Sequence, residues 1–258
     1  MAPTPGGGRL RELREQAGRS QLWAEAEAGL GTGYLQRVES GRVAHPERET
    51  LERVLAALGA RYSERRDVLE AFGYAMSAPV PTEDEMAWAR LLCARELAEA
   101  PMPAYVLDCA HRLVAWNRTM EALLGASGFA GRSILALWFH PDSDLGRLLT
   151  HPDELLPAML RAHRFEARRY AAEPWHQAMT AELLALPAFR RHWHLVLAEP
   201  EAVSAARALV PLRMRRGEEN LAFRLAAEPF LRDDRFRIVY FFPADPATMA
   251  WGSRHGAA

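Results

Sequence analysis

The chain has 258 residues, and at about 150 residues per domain this length suggests two domains. Hydrophobic residues make up 49% of the chain and charged residues 25%, a balance that excludes a disordered or collagen-like protein. The 32 basic residues, all of them arginine, and the 33 acidic residues leave a net charge of −1, which does not favour a nucleic-acid partner. Two cysteines, Cys93 and Cys109, are too few for a disulfide framework or a structural zinc site.

Neither a membrane anchor nor a secretion signal is indicated. No apolar run reaches the roughly 18 residues that a membrane-spanning helix needs. The first residues, MAPTPGGG, lack the apolar stretch of a signal peptide. We therefore expect a cytoplasmic protein with no membrane partner.

The first third of the chain has the pattern of short helices. Leu10, Leu13 and Ala17 share one face of a first helix, which Gly18 ends. Ser20 is a suitable N-cap for a second helix. The expected helices are residues 9–17, 20–28, 32–40, a fourth after Pro46 with its apolar stripe over 51–58, and 63–72.

Composition also sets the expected domain boundaries. Residues 1–8 are rich in Pro and Gly and are expected to form a disordered tail. Residues 9–76 form a helical domain, and residues 77–83, which contain two prolines, form a linker. A larger domain follows over 84–250, with a second tail over 251–258.

Residues 31–42 read GTGYLQRVESGR. With the glycine turn before it, this stretch resembles the recognition helix of the Cro/C1-type (xenobiotic-response-element) repressors, and the likeness covers residues 9–60. It implies a helix-turn-helix domain that binds double-stranded operator DNA. The positions that match phosphate contacts are Gln21 and Arg42, and those that match base contacts are Thr32, Gly33 and Arg37.

The same resemblance implies a structural ion pair between Arg14 and Glu39. Two positions depart from the family. Glu25 stands where a small buried residue is usual, and a shift of the second helix by one residue would bury Trp23 and Ala24 instead. Gly31 stands where Ser or Thr caps the recognition helix. The first 80 residues hold 11 Arg and 11 acidic residues, so we expect weak non-specific DNA affinity.

The second domain combines strands and helices. Two short strands are expected early and three late, with residues 133–199 helical between them and prolines at the helix boundaries. The expected fold class is therefore an all-α helix-turn-helix domain followed by an α+β domain with a five-stranded antiparallel sheet. The expected strands are 104–108, 112–116, 208–216, 221–230 and 235–242.

The second domain also resembles a known family. Residues 111–125 (HRLVAWNRTMEALLG) are similar to the second strand and following helix of PAS sensor domains. With ILALWF at 134–139 and PAFRRHW at 187–193, and a helix-turn-helix in front, they resemble the MmyB-like transcription regulators. The likeness implies a PAS-like ligand-binding domain over about 100–245.

From the residues alone, this domain offers an apolar chamber. Trp138, Phe139 and Trp193 of the helices would cover one face of the sheet, and pockets for small molecules are mostly apolar with few polar anchors. We expect a fatty-acid-like effector with one polar head, whose carboxylate could meet Arg161 or leave that arginine in solvent. The sheet positions expected on this face are Val210, Leu212, Met214, Phe223, Leu225, Phe236, Ile238, Tyr240 and Phe242.

These features predict a one-component transcription regulator that acts as a homodimer and is not an enzyme. No metal or cofactor is expected, because His192 and His194 point to different faces of a helix and His163 stands alone. Two alternatives stay open at this point. The chain could be a dimerising protein-interaction adaptor without a ligand, or a small-molecule enzyme.

Overall fold

The computed structural model describes residues 4–200 and 209–256. The chain divides into two compact units, residues 1–77 and 78–258, and each is described by itself. Residues 4–77 contain five helices around one apolar core, as the sequence predicts. Their bounds are α1 Pro5–Gln16, α2 Gln21–Glu27, α3 Tyr34–Glu39, α4 Arg48–Ala57 and α5 Tyr62–Ala71.

The first helix begins inside the stretch expected to be a tail. The Thr4 side chain caps it by accepting a hydrogen bond from Gly7 N at 3.1 Å, and Pro5 occupies the first helical position. A Cβ at Gly7 would lie 2.5 Å from the backbone oxygen of Val38 in α3. Glycine is therefore required for the close approach of α1 to α3, and the expectation of a disordered tail is wrong for residues 5–8. Residues 1–3 lie outside the described ranges.

The recognition helix starts later than predicted. It was expected from about Thr32, but α3 begins at Tyr34 and its N-cap is Gly33, whose φ is 81°. Thr32 and Gly33 therefore lie in the turn that precedes the helix, not in its first turn. Because an L side chain is strained at this φ, glycine suits the turn.

The second unit starts in the predicted linker. The carbonyl oxygen of Ala78 accepts a hydrogen bond from Trp175 Nε1 at 2.8 Å, and that of Pro79 accepts one from Arg235 at 3.1 Å. The helix α6 then begins at Glu83, capped by the Thr82 side chain. A proline lacks an N–H but keeps its carbonyl oxygen, so a segment rich in proline can still be held by hydrogen bonds. Most of the stretch expected to be a linker is therefore bound to the second unit and is not a free linker.

The predicted fold class of the second unit is confirmed. The described strands form an antiparallel sheet in the order β2-β1-β5-β4-β3. The strand bounds are β1 Ala104–Asp108, β2 Leu113–Trp116, β3 Val210–Arg216, β4 Glu219–Pro229 and β5 Phe236–Pro243. Ala208, the expected first residue of the third strand, lies outside the described residues.

Helices cover the sheet and fill the connection between β2 and β3. Pro152, Pro174 and Pro187 each occupy the first turn of a helix, where the missing N–H costs nothing. The helix bounds are α6 Glu83–Glu99, α7 Arg118–Leu124, α8 Ile134–Phe139, α9 Asp144–Leu148, α10 Pro152–Tyr170, α11 Pro174–Ala185, α12 Pro187–Ala198 and α13 Pro246–Gly256.

The last helix replaces the tail expected over 251–258. Asp245 Oδ1 accepts a hydrogen bond from Thr248 N at 2.7 Å at the start of α13, and Trp251 is 1% exposed in the core. The buried indole fixes the segment to the domain, so the expectation of a tail is wrong through residue 256. Residues 257–258 lie outside the described ranges.

One face of the sheet is buried along its length and the other over β1, β2 and β5, while Arg213, Arg215 and Arg224 of β3 and β4 are exposed on that second face. One face packs on helices α7–α12, and the other packs on α6. The register pairs Leu225 with Phe241 and Tyr105 with Val239, so the odd-numbered residues of β5 share a face with Val210, Leu212, Met214, Phe223 and Leu225.

The predicted face of β5 is therefore wrong. The residues Phe236, Ile238 and Tyr240 pack against α6, on the opposite side of the sheet. Phe242 follows them in the strand alternation and is 38% exposed. The error has a physical reason. Both faces of β5 are covered, so apolar residues occupy both and alternation cannot tell one face from the other.

Candidate functional site

The exposed surface of α3 presents polar side chains. Gln36 and Arg37 are exposed on the helix, and Thr32 is exposed in the turn before it. Arg42 is exposed just after the helix ends. Gln36 was not singled out from the sequence, although an amide at this position can bind adenine through two hydrogen bonds. The signal that could have identified Gln36 is its position next to Arg37 on the exposed face of the helix.

Arg14 and Glu39 meet as the sequence predicts. The guanidinium donates to both carboxylate oxygens, from Nε at 2.7 Å and from Nη2 at 3.0 Å. The Glu39 side chain is fully buried, and its hydrogen bond raises the pKa of Arg14. Gln21, expected at a phosphate, donates from Nε2 to Glu39 at 2.8 Å. The pair joins α1 to α3 and fixes the recognition helix in the unit.

Glu25 explains both departures from the repressor pattern. It is 3% exposed, and its carboxylate accepts hydrogen bonds from the backbone N–H groups of Gly33 at 2.9 Å and Leu35 at 2.7 Å. A buried carboxylate of α2 thus caps α3 in place of the Ser or Thr that is missing at Gly31. Ala24 is buried, as the shift of α2 required, but Glu25 is buried as well and Trp23 stays half-buried, so the shift does not occur.

The side chains expected to form the ligand chamber belong to a filled core. Trp138 and Phe139 are 3% and 2% exposed, and Leu212, Met214 and Phe223 are at most 1% exposed. These residues pack together with the helices in one cluster. Trp193 lies at the edge of this cluster and is half-buried.

Arg161 lies on α10, which begins at Pro152 and not after Pro157. Its guanidinium donates two hydrogen bonds to the Glu199 carboxylate, at 2.7 Å and 2.6 Å. The expected contact with a ligand carboxylate would have to displace this pairing. Arg161 therefore links α10 to the residue that follows α12.

A cleft of about 550 Å³ opens between α10, α11 and α12. Its lining is mostly apolar, with Trp193 and Leu197 of α12 on one side and His176 and Thr180 of α11 on another. Positions 176 and 180 are four residues apart and lie on the same face of α11. The remaining lining residues are Arg164, Ala167, Arg168, Ala171, Gln177, Ala181 and Leu184.

Buried histidines lie against the wall of this cleft. The ring of His163 is 5.9 Å from that of His176 and 5.5 Å from that of Trp193, measured between centroids. His163 Nδ1 is 3.1 Å from Nε2 of His111, and His111 Nδ1 is 2.6 Å from Nη2 of Arg237. Glu166 accepts from the other amino group of Arg237 at 2.5 Å.

These histidines are neutral at neutral pH. Burial lowers the pKa of His163 to about 3, with help from His176 and Arg237. Burial also lowers the pKa of His111 well below its usual value, and it lowers that of His176. Sequence reasoning missed this cluster because the three histidines come from the β1–β2 turn, α10 and α11, and His163 was expected to stand alone.

His111 has an unusual backbone conformation. Its φ is 59°, a left-handed value that is uncommon for residues other than glycine. The turn is fixed by Asp108, which is fully buried and accepts hydrogen bonds from the N–H groups of Ala110 at 2.9 Å and Arg112 at 2.8 Å. The turn between β1 and β2 therefore holds the His111 ring in the cluster at some cost in strain.

Comparisons with known proteins agree with this two-unit arrangement. A helix-turn-helix domain model matches residues 7–68, and the model described as the MmyB-like transcription regulator ligand binding domain matches residues 94–252. The chain is therefore a helix-turn-helix DNA-binding protein with a ligand-binding domain. It belongs to the MmyB-like transcription regulator family.

Other comparisons add little. A search of curated protein sequences finds no match. A solved structure described as that of an RNA-binding light-oxygen-voltage receptor aligns with 10% identity and a TM-score of 0.28, over 98% of this chain and 62% of that one. The chain thus spans less than two thirds of that protein's length. No helix in the described parts of the chain has the length and apolar character to cross a membrane.

Proposed function

We propose that this protein is a one-component transcription regulator whose second unit senses a small apolar molecule with one polar head, such as a fatty acid. The observation that supports this most is the cleft between α10, α11 and α12. Its wall is mostly apolar, and the polar atoms of His176 and Thr180 are buried in it. A nucleotide or sugar would leave many polar groups without partners on such a wall.

The regulator acts as a homodimer on operator DNA. The helix α3 has six residues, so one copy reaches few base edges. Two copies on half-sites one helical turn apart, about 34–36 Å, supply the contact that specific binding needs. The effector changes operator affinity because it binds one arrangement of the dimer more tightly than the other. The size of the change is limited by this difference in effector affinity.

The test starts with an operator selected from a random DNA library by the delipidated full-length protein. Operator affinity is then measured by fluorescence anisotropy with and without decanoate, and with a polar metabolite of similar size as a control. We expect decanoate to shift the affinity by at least about fivefold, the lower end of typical coupling.

Two results would contradict the proposal. Operator binding that ignores every apolar compound would indicate a regulator or adaptor without this effector. Tight binding of the polar metabolite, with no binding of decanoate in calorimetry, would contradict the apolar effector and leave the helix-turn-helix assignment intact.

A further inference from the structure

The hydrogen bonds of His111 and His163 determine which ring nitrogen of each residue carries the proton. A guanidinium can only donate hydrogen bonds, so Nδ1 of His111 must accept from Arg237. The neutral His111 ring then carries its proton on Nε2 and donates it to Nδ1 of His163. His163 is neutral as well, so its proton lies on Nε2. The series of hydrogen bonds from Arg237 through His111 to His163 therefore ends in an N–H donor, Nε2 of His163.

That last donor lacks an acceptor. In the described part of the second unit, Nε2 of His163, Nε2 of His176 and Oγ1 of Thr180 are buried side-chain atoms without a hydrogen-bond partner. His163 and His176 are 2% and 7% exposed. A buried polar atom without a partner carries a substantial free-energy penalty. Three such atoms in one region indicate a place where a ligand supplies the missing partner.

We propose that His163, His176 and Thr180 form the polar anchor of the effector, and that the anchor binds an oxygen atom that accepts hydrogen bonds. This rests on the proposed function. His163 is fixed as a donor, and the Thr180 hydroxyl can donate as well. The effector is therefore an apolar chain that ends in a carbonyl or carboxylate oxygen. A chain whose polar end can only donate hydrogen bonds does not bind to this anchor.

The cleft and the anchor fit one molecule. Trp193 and His176 line the cleft, and their rings contact that of His163. We therefore place the effector oxygen at the base of the cleft, beside these rings. The chain attached to it would then lie along the apolar wall that contains Leu184 and Leu197. Since Arg237 is balanced by Glu166, the anchor needs no negative charge on the ligand.

Binding of three probes of matched chain length to delipidated full-length protein tests the anchor. The probes are 2-decanone, which only accepts, decanoate, which accepts and is charged, and decylammonium, which only donates. We expect 2-decanone and decanoate to bind, and decylammonium to bind at least tenfold more weakly. The readouts are calorimetry and fluorine NMR of 5-fluorotryptophan at Trp193.

Variants then assign the anchor to its residues. Thr180→Val keeps the side-chain shape, and His163→Phe keeps an aromatic ring. Each loses one neutral hydrogen bond and should weaken 2-decanone binding by about threefold to tenfold. The matched control is His194→Phe, at an exposed histidine of α12, which should leave binding unchanged.

The proton positions can be read independently of binding. Nitrogen-15 shifts of the histidines should show the proton of His163 on Nε2. In His111→Asn, where asparagine tolerates the left-handed backbone, this preference should be lost while the protein stays folded.

Each remaining outcome overturns the anchor. Equal binding of all three probes, unaffected by the variants, removes the anchor and leaves the apolar effector standing. Binding of decanoate without 2-decanone assigns the head to an arginine and not to the histidines. Failure of every probe, with tight binding of a polar metabolite, removes the proposed effector together with its anchor.

Discussion

Arg37 lies on the exposed surface of α3, where a guanidinium can bind a guanine edge through two hydrogen bonds. We expect Arg37→Ala to weaken specific operator binding by roughly 1–3 kcal/mol and to relax the preference at one base position. Arg42→Ala is the comparison, because a phosphate contact carries no sequence information and should weaken all sequences alike. Anisotropy titrations against single-base operator variants measure both effects. An unchanged preference in Arg37→Ala would show that α3 does not read the bases there.

Glu25 caps α3 from the neighbouring helix, so its loss should loosen the recognition helix. Glu25→Ala leaves the N–H groups of Gly33 and Leu35 without their acceptor, and we expect it to lower the free energy of unfolding by about 1–3 kcal/mol. Glu25→Gln keeps one acceptor oxygen and should lower it less. The measurement is urea unfolding followed by fluorine NMR of 5-fluorotryptophan at Trp23, the first tryptophan in the sequence. Equal midpoints for wild type and Glu25→Ala would refute the role of the cap.

Residue-level prediction from the sequence succeeded where partners have complementary charge and failed where they do not. The Arg14–Glu39 pair follows from the resemblance, and opposite charges meet in the structure as expected. Glu25 was expected to conflict with a buried position, because its partners are backbone N–H donors, which the side-chain sequence does not display. The histidine cluster was not predicted for the same reason, because neutral rings show no complementary charge and no regular spacing in the sequence.

At the level of elements, the contact of α1 with α3 depends on a glycine. Gly7→Ala would place a methyl group 2.5 Å from the Val38 oxygen, so α1 or α3 must shift. Gly8→Ala is the matched control, because a Cβ there meets nothing within 4 Å and alanine is the better helix former. We expect Gly7→Ala to lower both the thermal midpoint and operator affinity, and Gly8→Ala to raise the midpoint slightly. Identical behaviour of the two variants would remove the role assigned to Gly7.

Element boundaries were predictable where capping chemistry is local. Ser20, Thr82 and Asn117 cap their helices by accepting hydrogen bonds from backbone N–H groups three residues on, and prolines mark later helix starts. The start of α1 and the existence of α13 were not predictable, because Gly7 and Trp251 reveal their packing only against distant elements.

For the whole molecule, the neutral histidines make stability depend on pH. The folded pKa of His163 is about 3, against an ordinary 6.5. Between these values the unfolded chain binds the extra proton, so stability is fully present above about pH 6.5 and falls as the pH falls. His163 alone should cost about 2 kcal/mol between pH 7 and pH 5. Burial lowers the pKa values of His111 and His176 as well, so these two residues act in the same direction.

The measurement is the urea midpoint of the second unit at pH 7 and pH 5, followed by fluorine NMR of 5-fluorotryptophan at Trp193. His163→Phe should reduce the difference between the two midpoints, and His194→Phe should not. Equal midpoints at both pH values in the wild-type protein would mean that the cluster is protonated in the folded state.

The alignment of β5 in the sheet rests on two arginines, Arg235 just before the strand and Arg237 within it. Its sequence, FRIVYFFP, is apolar on both faces apart from Arg237. A slip by one residue would exchange the two faces, and hydrophobic burial would hardly oppose it. The guanidinium of Arg237 opposes it, because it finds Glu166 and His111 in one alignment and the apolar side chains facing α6 in the other. Arg235, just before the strand, opposes it as well, since it is 1% exposed and pairs with Asp233 and Glu85. The two arginines therefore select between two pairings of the strand, and a neutral residue such as leucine at position 237 should raise the share of misaligned chains during refolding.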